Sequence, residues 1–240
     1  MNLTKKKLIM NLQNLSRPFI TSLLFIATIF SFSSCNKTTD DIQIDNANIL
    51  ITHASPDAPG VDLLVDNNKK NNAALNFPSN TGYLSVNSGM RNIKVNVAGT
   101  NTSVINADLT FAKDQYYSIF AIDSVSKLSA LVLTDDLTAP AVGKAHVRFV
   151  HLSPNAPAVD VAVVGGPVVF GNNAFKGFTS FAPLDAGVYN LEVRVAGTMT
   201  VALTLPPITL VQGKIYTIFA KGFLGGTGAQ ALGAEIISNK

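Results

Sequence analysis

The chain has 240 residues, one cysteine, no tryptophan, and 18 basic against 15 acidic side chains. A lone cysteine excludes an intramolecular disulfide framework. Four of the basic residues (Lys5, Lys6, Lys7, Arg17) and none of the acidic ones precede Cys35, so the remainder carries 14 against 15, a formal net charge of −1. That balance offers no basic stripe for phosphates and gives nucleic-acid binding no support.

The N-terminal basic cluster is followed by an apolar run from Phe19 to Ser34 that ends at Cys35. A bilayer-spanning helix needs roughly 20 apolar residues, and this run stops short of that before the polar Asn36–Asp41 stretch. The pattern predicts a cleaved export signal over residues 1–34. The segment resembles a bacterial lipoprotein signal, with Cys35 as the lipid attachment residue; Phe32, where an aliphatic side chain is usual, departs from that pattern. Ordinary cleavage nearby or an uncleaved signal anchor are the alternatives. Two or three acyl chains would hold the protein firmly, because each buried methylene contributes about 0.8 kcal/mol. Residues 35–47 read as the lipidated cysteine and a polar tether, flexible enough to span roughly 20 Å. Asp40-Asp41 resembles signals that send some lipoproteins to the cell surface. The expected address is the bacterial cell envelope, anchored in the outer membrane, on its periplasmic or its exposed face.

Beyond the tether the chain is duplicated. Ile51–Asp62, with its His-x-Ser-Pro-x-Ala-Pro-x-Val-Asp pattern, returns as Phe149–Asp160, a shift of 98 residues. Asn92–Thr100 returns as Asn190–Thr198 at the same shift, and Tyr117–Ala121 as Tyr216–Ala220 at 99, so one residue is gained in between. Two copies at so long a period indicate a duplicated domain and not a solenoid. Within each copy apolar residues alternate with polar ones: Ile93, Val95, Val97 against Asn92, Lys94, Asn96, and Leu191, Val193, Val195 against Glu192, Arg194. Period two with one wet face, broken every ten residues or so by Pro, Gly, Asn and Asp, predicts about seven short strands per copy. The fold class expected is all-β: two tandem antiparallel β-sandwich domains of immunoglobulin or transthyretin type. Their bounds are expected at 48–135 and 145–240, joined by a linker over 136–144 that is short enough for the domains to touch.

His53, Ser55 and Asp62, with His151, Ser153 and Asp160, invite a catalytic or metal reading, and the strand pattern argues against both. Ile49, Ile51 and His53 share a face, as do Val147, Phe149 and His151, so each imidazole points with the core. Each proline pair holds a turn, and each aspartate can accept hydrogen bonds from turn amides. No strand-to-helix elbow presents a serine, and no ligand pair stands at i, i+2 or i+4. These six residues are expected to be structural; no catalytic residue, metal ligand or cofactor is expected, and the chain is not expected to be an enzyme. Asp57, Asp62, Asp66, Asn67 and Asn68 could hold calcium, but the second copy lacks most of those oxygens. Phe175 and Phe181 align with Phe77 and Tyr83 and read as core. Phe170 and Phe178 lack aromatic counterparts and are the candidate ligand contacts. Gly222–Gly228 superficially matches a phosphate loop but lies between strands, so a long mobile hairpin is expected there. Tyr117 and Tyr216 read as tyrosine corners.

The His-x-Ser-Pro-x-Ala-Pro-x-Val-Asp opening, the Val-Ala-Gly-Thr step (Val97–Thr100, Val195–Thr198) and the Tyr-x-Ile-Phe-Ala strand together resemble an uncharacterised bacterial domain family. That family occurs singly or in tandem in secreted proteins and surface lipoproteins, often of the Bacteroidota. The resemblance implies export and a β-sandwich-like fold, and it brings no enzyme activity and no functional residues. The functional expectation is a lipid-anchored, non-enzymatic binding or adhesion module for a glycan or a surface protein. The alternative is a structural or assembly component of the envelope that binds a protein partner; a hydrolase stands third.

Overall fold

The computed structural model describes residues 45–240; the expected signal, Cys35 and most of the tether lie outside the described residues. The first copy contributes β1 (Asn46–His53), β2 (Val61–Val65), β3 (Asn68–Lys69), β4 (Asn80–Asn87), β5 (Gly89–Val97), β6 (Ser103–Phe111), β7 (Tyr116–Ile122) and β8 (Ser129–Asp135). The second contributes β9 (Lys144–His151), β10 (Val159–Val163), β11 (Val168–Asn173), β12 (Ala182–Asp185), β13 (Gly187–Tyr189), β14 (Leu191–Val195), β15 (Val201–Thr204), β16 (Ile208–Leu210), β17 (Ile215–Lys221) and β18 (Gly233–Ser238). No α-helix occurs among the described residues. The all-β expectation holds.

The duplication is visible strand by strand. Sheet order β4-β1-β7-β8 in the first copy repeats as β12-β9-β17-β18, and β3-β2-β5-β6 repeats as β11-β10-β14-β15. Each pair of sheets closes on its own core: Ile49, Ile51, Leu63, Ile93, Phe111 and Ile119 in the first, Val147, Phe149, Val161, Leu191, Val193 and Ile218 in the second. One pairing in each copy departs from the antiparallel expectation, because β1 runs parallel to β7 and β9 parallel to β17. Between them the chain places β2, β3, β5 and β6, or β10, β11, β14 and β15, in the opposite sheet, so it crosses over before it returns beside its first strand.

The one gained residue has a definite place. Asn106 pairs with Lys94 and Leu109 with Arg91, whereas Thr204 pairs with Glu192 and Ile208 with Tyr189. Two residues therefore bridge those positions in the first copy and three, Leu205-Pro206-Pro207, in the second. Proline cannot donate to a ladder, and the strand that is continuous as β6 is split into β15 and β16. The split opens an apolar cleft of about 360 Å³ lined by Leu205, Pro206, Pro207, Ile208, Ile218 and Ile236, among others. The corresponding gap of the first copy, beside Ala107, Leu109, Ile119 and Ala130, measures about 10 Å³.

The two sandwiches lie against each other through the sheets that carry β1 and β9. A third apolar cluster joins Leu50, Ala54, Phe120, Ile122 and Leu133 of the first to Val150, Leu152, Phe219 and Ile237 of the second. Strands β1, β7, β9 and β17 are thus buried on both faces over most of their length, and β1, β7 and β17 accordingly carry apolar residues at successive positions, as in Ile49-Leu50-Ile51, Ile119-Phe120-Ala121 and Ile218-Phe219-Ala220. The contact follows a pseudo-twofold relation. Phe120 meets its own counterpart Phe219 with ring centroids 6.1 Å apart, and Ser118 and its counterpart Thr217 are bridged by Arg148. Counterparts meet at two successive levels, so the axis runs along the strands and both sandwiches point the same way. Asp45, the linker and Lys240, whose Nζ donates to Leu137 O at 3.2 Å, gather at one end, here the tether pole. His53 and His151 close their strands at the other, the motif pole.

Candidate functional site

At the motif pole the repeated residues hold three loops together. The imidazole Nε2–H of His53 donates to Pro59 O, and that of His151 to Pro157 O, each at 3.0 Å. In the second copy Nδ1 of His151 also accepts from the Ser153 amide at 3.3 Å, which fixes the tautomer. Both rings are buried, at 1% and 0% exposure, and burial pushes both pKa values below the usual imidazole value of 6.5. Residue five of the motif ties down the last hairpin: Asp57 accepts from the Val125 amide at 2.8 Å, and Asn155 exchanges two hydrogen bonds with Leu224 at 2.8 and 3.0 Å.

The closing aspartate reaches further than its own turn. Asp62 Oδ2 accepts from the Gly99 amide at 3.0 Å and Asp160 Oδ2 from the Gly197 amide at 2.9 Å. These glycines sit at φ +73° and +72° in the Val-Ala-Gly-Thr turns, a region in which a Cβ is strained. The two most regular motifs of the sequence are therefore donor and acceptor of one contact. Asp160 Oδ1 also accepts from the Asn172 amide at 2.6 Å, while Asp62 pairs with Lys69 at 2.8 Å. The Lys69 hydrogen bond, reinforced by the Gly99 amide, holds the Asp62 carboxyl below the ordinary carboxylate range.

This geometry engages the histidines and aspartates that invited chemistry, whereas the Ser55 and Ser153 hydroxyls have no hydrogen-bond partner among the described residues. Ser55 and Ser153 are fully buried, and neither hydroxyl bonds the histidine of its own motif. The calcium candidates diverge: Asp66 accepts from the Asn92 amide and pairs with Arg91, and Asn67 accepts from Lys94. Among the described residues no group of three or more His, Cys, Asp or Glu side chains converges as metal ligands would. The tyrosine corners are present, with the Tyr117 hydroxyl accepting from the Ala112 amide at 2.9 Å and Tyr216 from the Val211 amide at 3.3 Å.

The two candidate phenylalanines separate. Phe170 is buried and stacks on Phe149 with centroids 6.5 Å apart, which corrects the expectation of an exposed ring. Its strand β11 turns it into the second core, a position that an alignment with the first copy leaves blank. Phe178 is 54% exposed, and its backbone bridges to Val150 at the motif pole. At that same pole Met199, in the turn after β14, and Leu224, in the loop after β17, are also exposed. Asn80 and Asn101 stand where Phe178 and Met199 do, while Val125, also exposed, stands where Leu224 does, so two of these three apolar positions belong to the second copy alone. The Gly222–Gly228 segment lies in the connection of the antiparallel β17–β18 hairpin, as expected, and its own hydrogen bonds knit it together. Asn155 clasps Leu224, the Phe223 amide donates to Gln230 O, and the Gly226 amide donates to Phe223 O.

Sequence reasoning missed a polar network at the centre of the domain contact. Arg148 Nη1 pairs with Asp135 Oδ1 at 2.7 Å, and the two side chains are 3% and 0% exposed. Ser118 and Tyr83 donate to Asp135 Oδ2, Arg148 Nε donates to Thr217, Thr217 to Asn239, and Asn239 Nδ2 to Tyr83. The guanidinium lies 4.5 Å over the Phe181 ring. Burial, together with the Asp135 charge, raises the Tyr83 pKa and keeps its phenol a donor. A signal existed: Arg148 is charged between the apolar Val147 and Phe149, at the position Leu50 takes in the first copy.

Paired sandwiches of one duplicated unit define the class of protein. Residues 47–162, which take in the first sandwich and the opening strands of the second, match the family described as domain of unknown function DUF4397. No curated protein matches the chain. Among solved structures, the Bacillus anthracis TIE protein is similar at 12% identity and a TM-score of 0.26, over 74% of this chain and 34% of that one. CBMbc (family CBM26) from Eubacterium rectale Amy13K, solved in complex with maltoheptaose, is similar at 11% identity and a TM-score of 0.23, over 80% and 95% of the two chains. The chain spans about a third of the length of the first of these, and at such scores neither likeness bears on its function.

Proposed function

We propose that the protein is a lipid-anchored, non-enzymatic binding module of the bacterial cell envelope, held by Cys35 in the outer membrane and engaging a glycan or a surface protein with its motif pole. One observation carries this reading: both sandwiches point the same way, with the loops of both copies at the pole opposite the tether. An anchor at Cys35 would thus leave those loops facing away from the lipid. The motif histidines and aspartates support a non-enzymatic role because they are engaged in clamping the loops, and Phe178 and Met199 supply the exposed apolar contact that the first copy lacks. Binding of purified residues 36–240 to a panel of envelope and host polysaccharides, in parallel with cross-linking on cells, tests the reading. Retention by one ligand class and its loss in Phe178→Ala support it, and wild-type retention in Phe178→Ala combined with Met199→Ala overturns the assignment of the motif pole. Mass spectrometry of the cell-extracted protein tests the anchor: an unacylated N-terminus overturns it.

A further inference from the structure

The contact between the sandwiches poses a problem of choice. The two docking faces descend from one duplicated surface, and Phe120, Ser118 and Leu133 each have a like-for-like counterpart in Phe219, Thr217 and Ile237. A surface related to its partner by a twofold axis is close to complementary to a second copy of itself. By shape and apolar content alone, the first sandwich of one chain could dock with the first sandwich of another, and second with second. Chains would then link to each other instead of closing on themselves.

Two substitutions between the copies break that equivalence. Asp135 stands where the second copy has Asn239, and Arg148 where the first has Leu50. In the observed pairing the two charges meet at 2.7 Å, almost fully buried. If two first sandwiches paired, Asp135 of each would face Leu50 of the other and be buried without a cation. If two second sandwiches paired, each Arg148 would face Asn239 and be buried without an anion. An uncompensated buried charge is strongly destabilising, far more than the pair itself is stabilising. Such asymmetry is the signature of selection against wrong partners.

We propose that the Asp135–Arg148 pair is a specificity device that lets the docking face of the first sandwich accept the second and excludes like-with-like pairing between copies of the chain. The remaining network supports the pair from both sides: Ser118 and Tyr83 hold the carboxylate, Thr217 holds the guanidinium, and Phe181 shields it.

Charge reversal tests this in residues 36–240. Arg148→Asp and Asp135→Arg each place like charges in the contact, so each variant alone should open, read as a larger radius by small-angle scattering and trypsin cleavage near Lys144 faster by at least about tenfold. The double variant carrying both reversals should return to the radius and cleavage rate of the natural chain. An equimolar mixture of the two single variants should form a 1:1 heterodimer, because each first sandwich then finds an opposite charge only on the other chain. If a single reversal lowers global stability as well, the double variant still decides. Failure of the double reversal to restore the closed monomer overturns the proposal, as does either single variant that stays closed, or a mixture that forms no heterodimer while the double variant is restored.

Discussion

The buried imidazoles make stability depend on pH in a direction fixed by their environment. His53 and His151 have pKa values lowered by burial from 6.5, and the hydrogen bonds to Pro59 O and Pro157 O offset that only in part. Below pH 6.5 the unfolded chain takes up protons at both residues while the folded chain resists, so the unfolded state binds more protons and stability rises with pH through this window. The stabilisation is fully present above the unfolded value and is lost as pH falls below it. Between about pH 7.5 and about pH 5.5 the loss is at most about 1.4 kcal/mol for each imidazole, about 2.7 kcal/mol for two. Asp62, Asp66 and Asp136 are shifted down from 3.8, so their contribution is lost only at lower pH and does not overlap this window. Urea unfolding at several pH values measures the slope. Replacing both histidines by Gln keeps an N–H donor without a titrating ring and should remove the slope whatever it does to stability at neutral pH. A flat profile in the natural chain, or an unchanged slope in the His53→Gln, His151→Gln double variant, would refute the claim that these rings are held neutral by burial.

Other substitutions separate clamp from surface. Asp160→Ala removes the acceptor for the Gly197 and Asn172 amides and should lower stability by about 2–4 kcal/mol in urea unfolding, since hydrogen bonds to a charged group contribute about 1.5–3 kcal/mol each. Phe170→Ala should cost about 3–5 kcal/mol through the cavity it leaves, whereas Phe178→Ala should stay within about 0.5 kcal/mol of the natural chain, a contrast that one thermal scan reads. Gly222→Ala should displace the loop after β17, because a Cβ there would meet Ala231 O at 2.1 Å; faster amide exchange at Phe223 and Leu224 measures it. Deleting Pro207 should let β15 and β16 join as one strand as β6 does, and a hydrophobic dye bound in the 360 Å³ cleft should be released.

Much of this architecture was legible because local chemistry and fold agree. Alternation at Ile93–Val97 and Leu191–Val195 gave strands with one wet face, and the constant shift of 98 gave two copies of one unit. The inward histidines followed from the same period of two. Contacts between distant segments were not legible. That Asp62 caps the turn at Gly99 needs the hairpin after β5 to fold back over the motif, and no periodicity reports a distance across 37 residues. Phe170 misled because an unmatched aromatic reads equally as an added core residue or an exposed contact, and only the facing of β11 decides. The parallel β1–β7 pairing was hidden as well, since a strand buried on both faces shows an apolar run whichever way its neighbour points.

The differences between the copies fall into two groups with different consequences. At the domain contact, Leu50 against Arg148 and Asp135 against Asn239 turn a symmetric surface into one with a single satisfied partner, so these changes act on how the chain closes. At the exposed surface, Asn80 against Phe178 and Asn101 against Met199 change what the second copy can touch without altering the clamp beneath, because His151, Asn155 and Asp160 make the same kinds of contact as His53, Asp57 and Asp62. A duplicated frame held rigid by repeated residues can vary its loops at little cost to stability, since the loops need only the anchoring points that the motif supplies. On this argument the motif is repeated for the sake of the frame, and the ligand is to be sought where the copies differ.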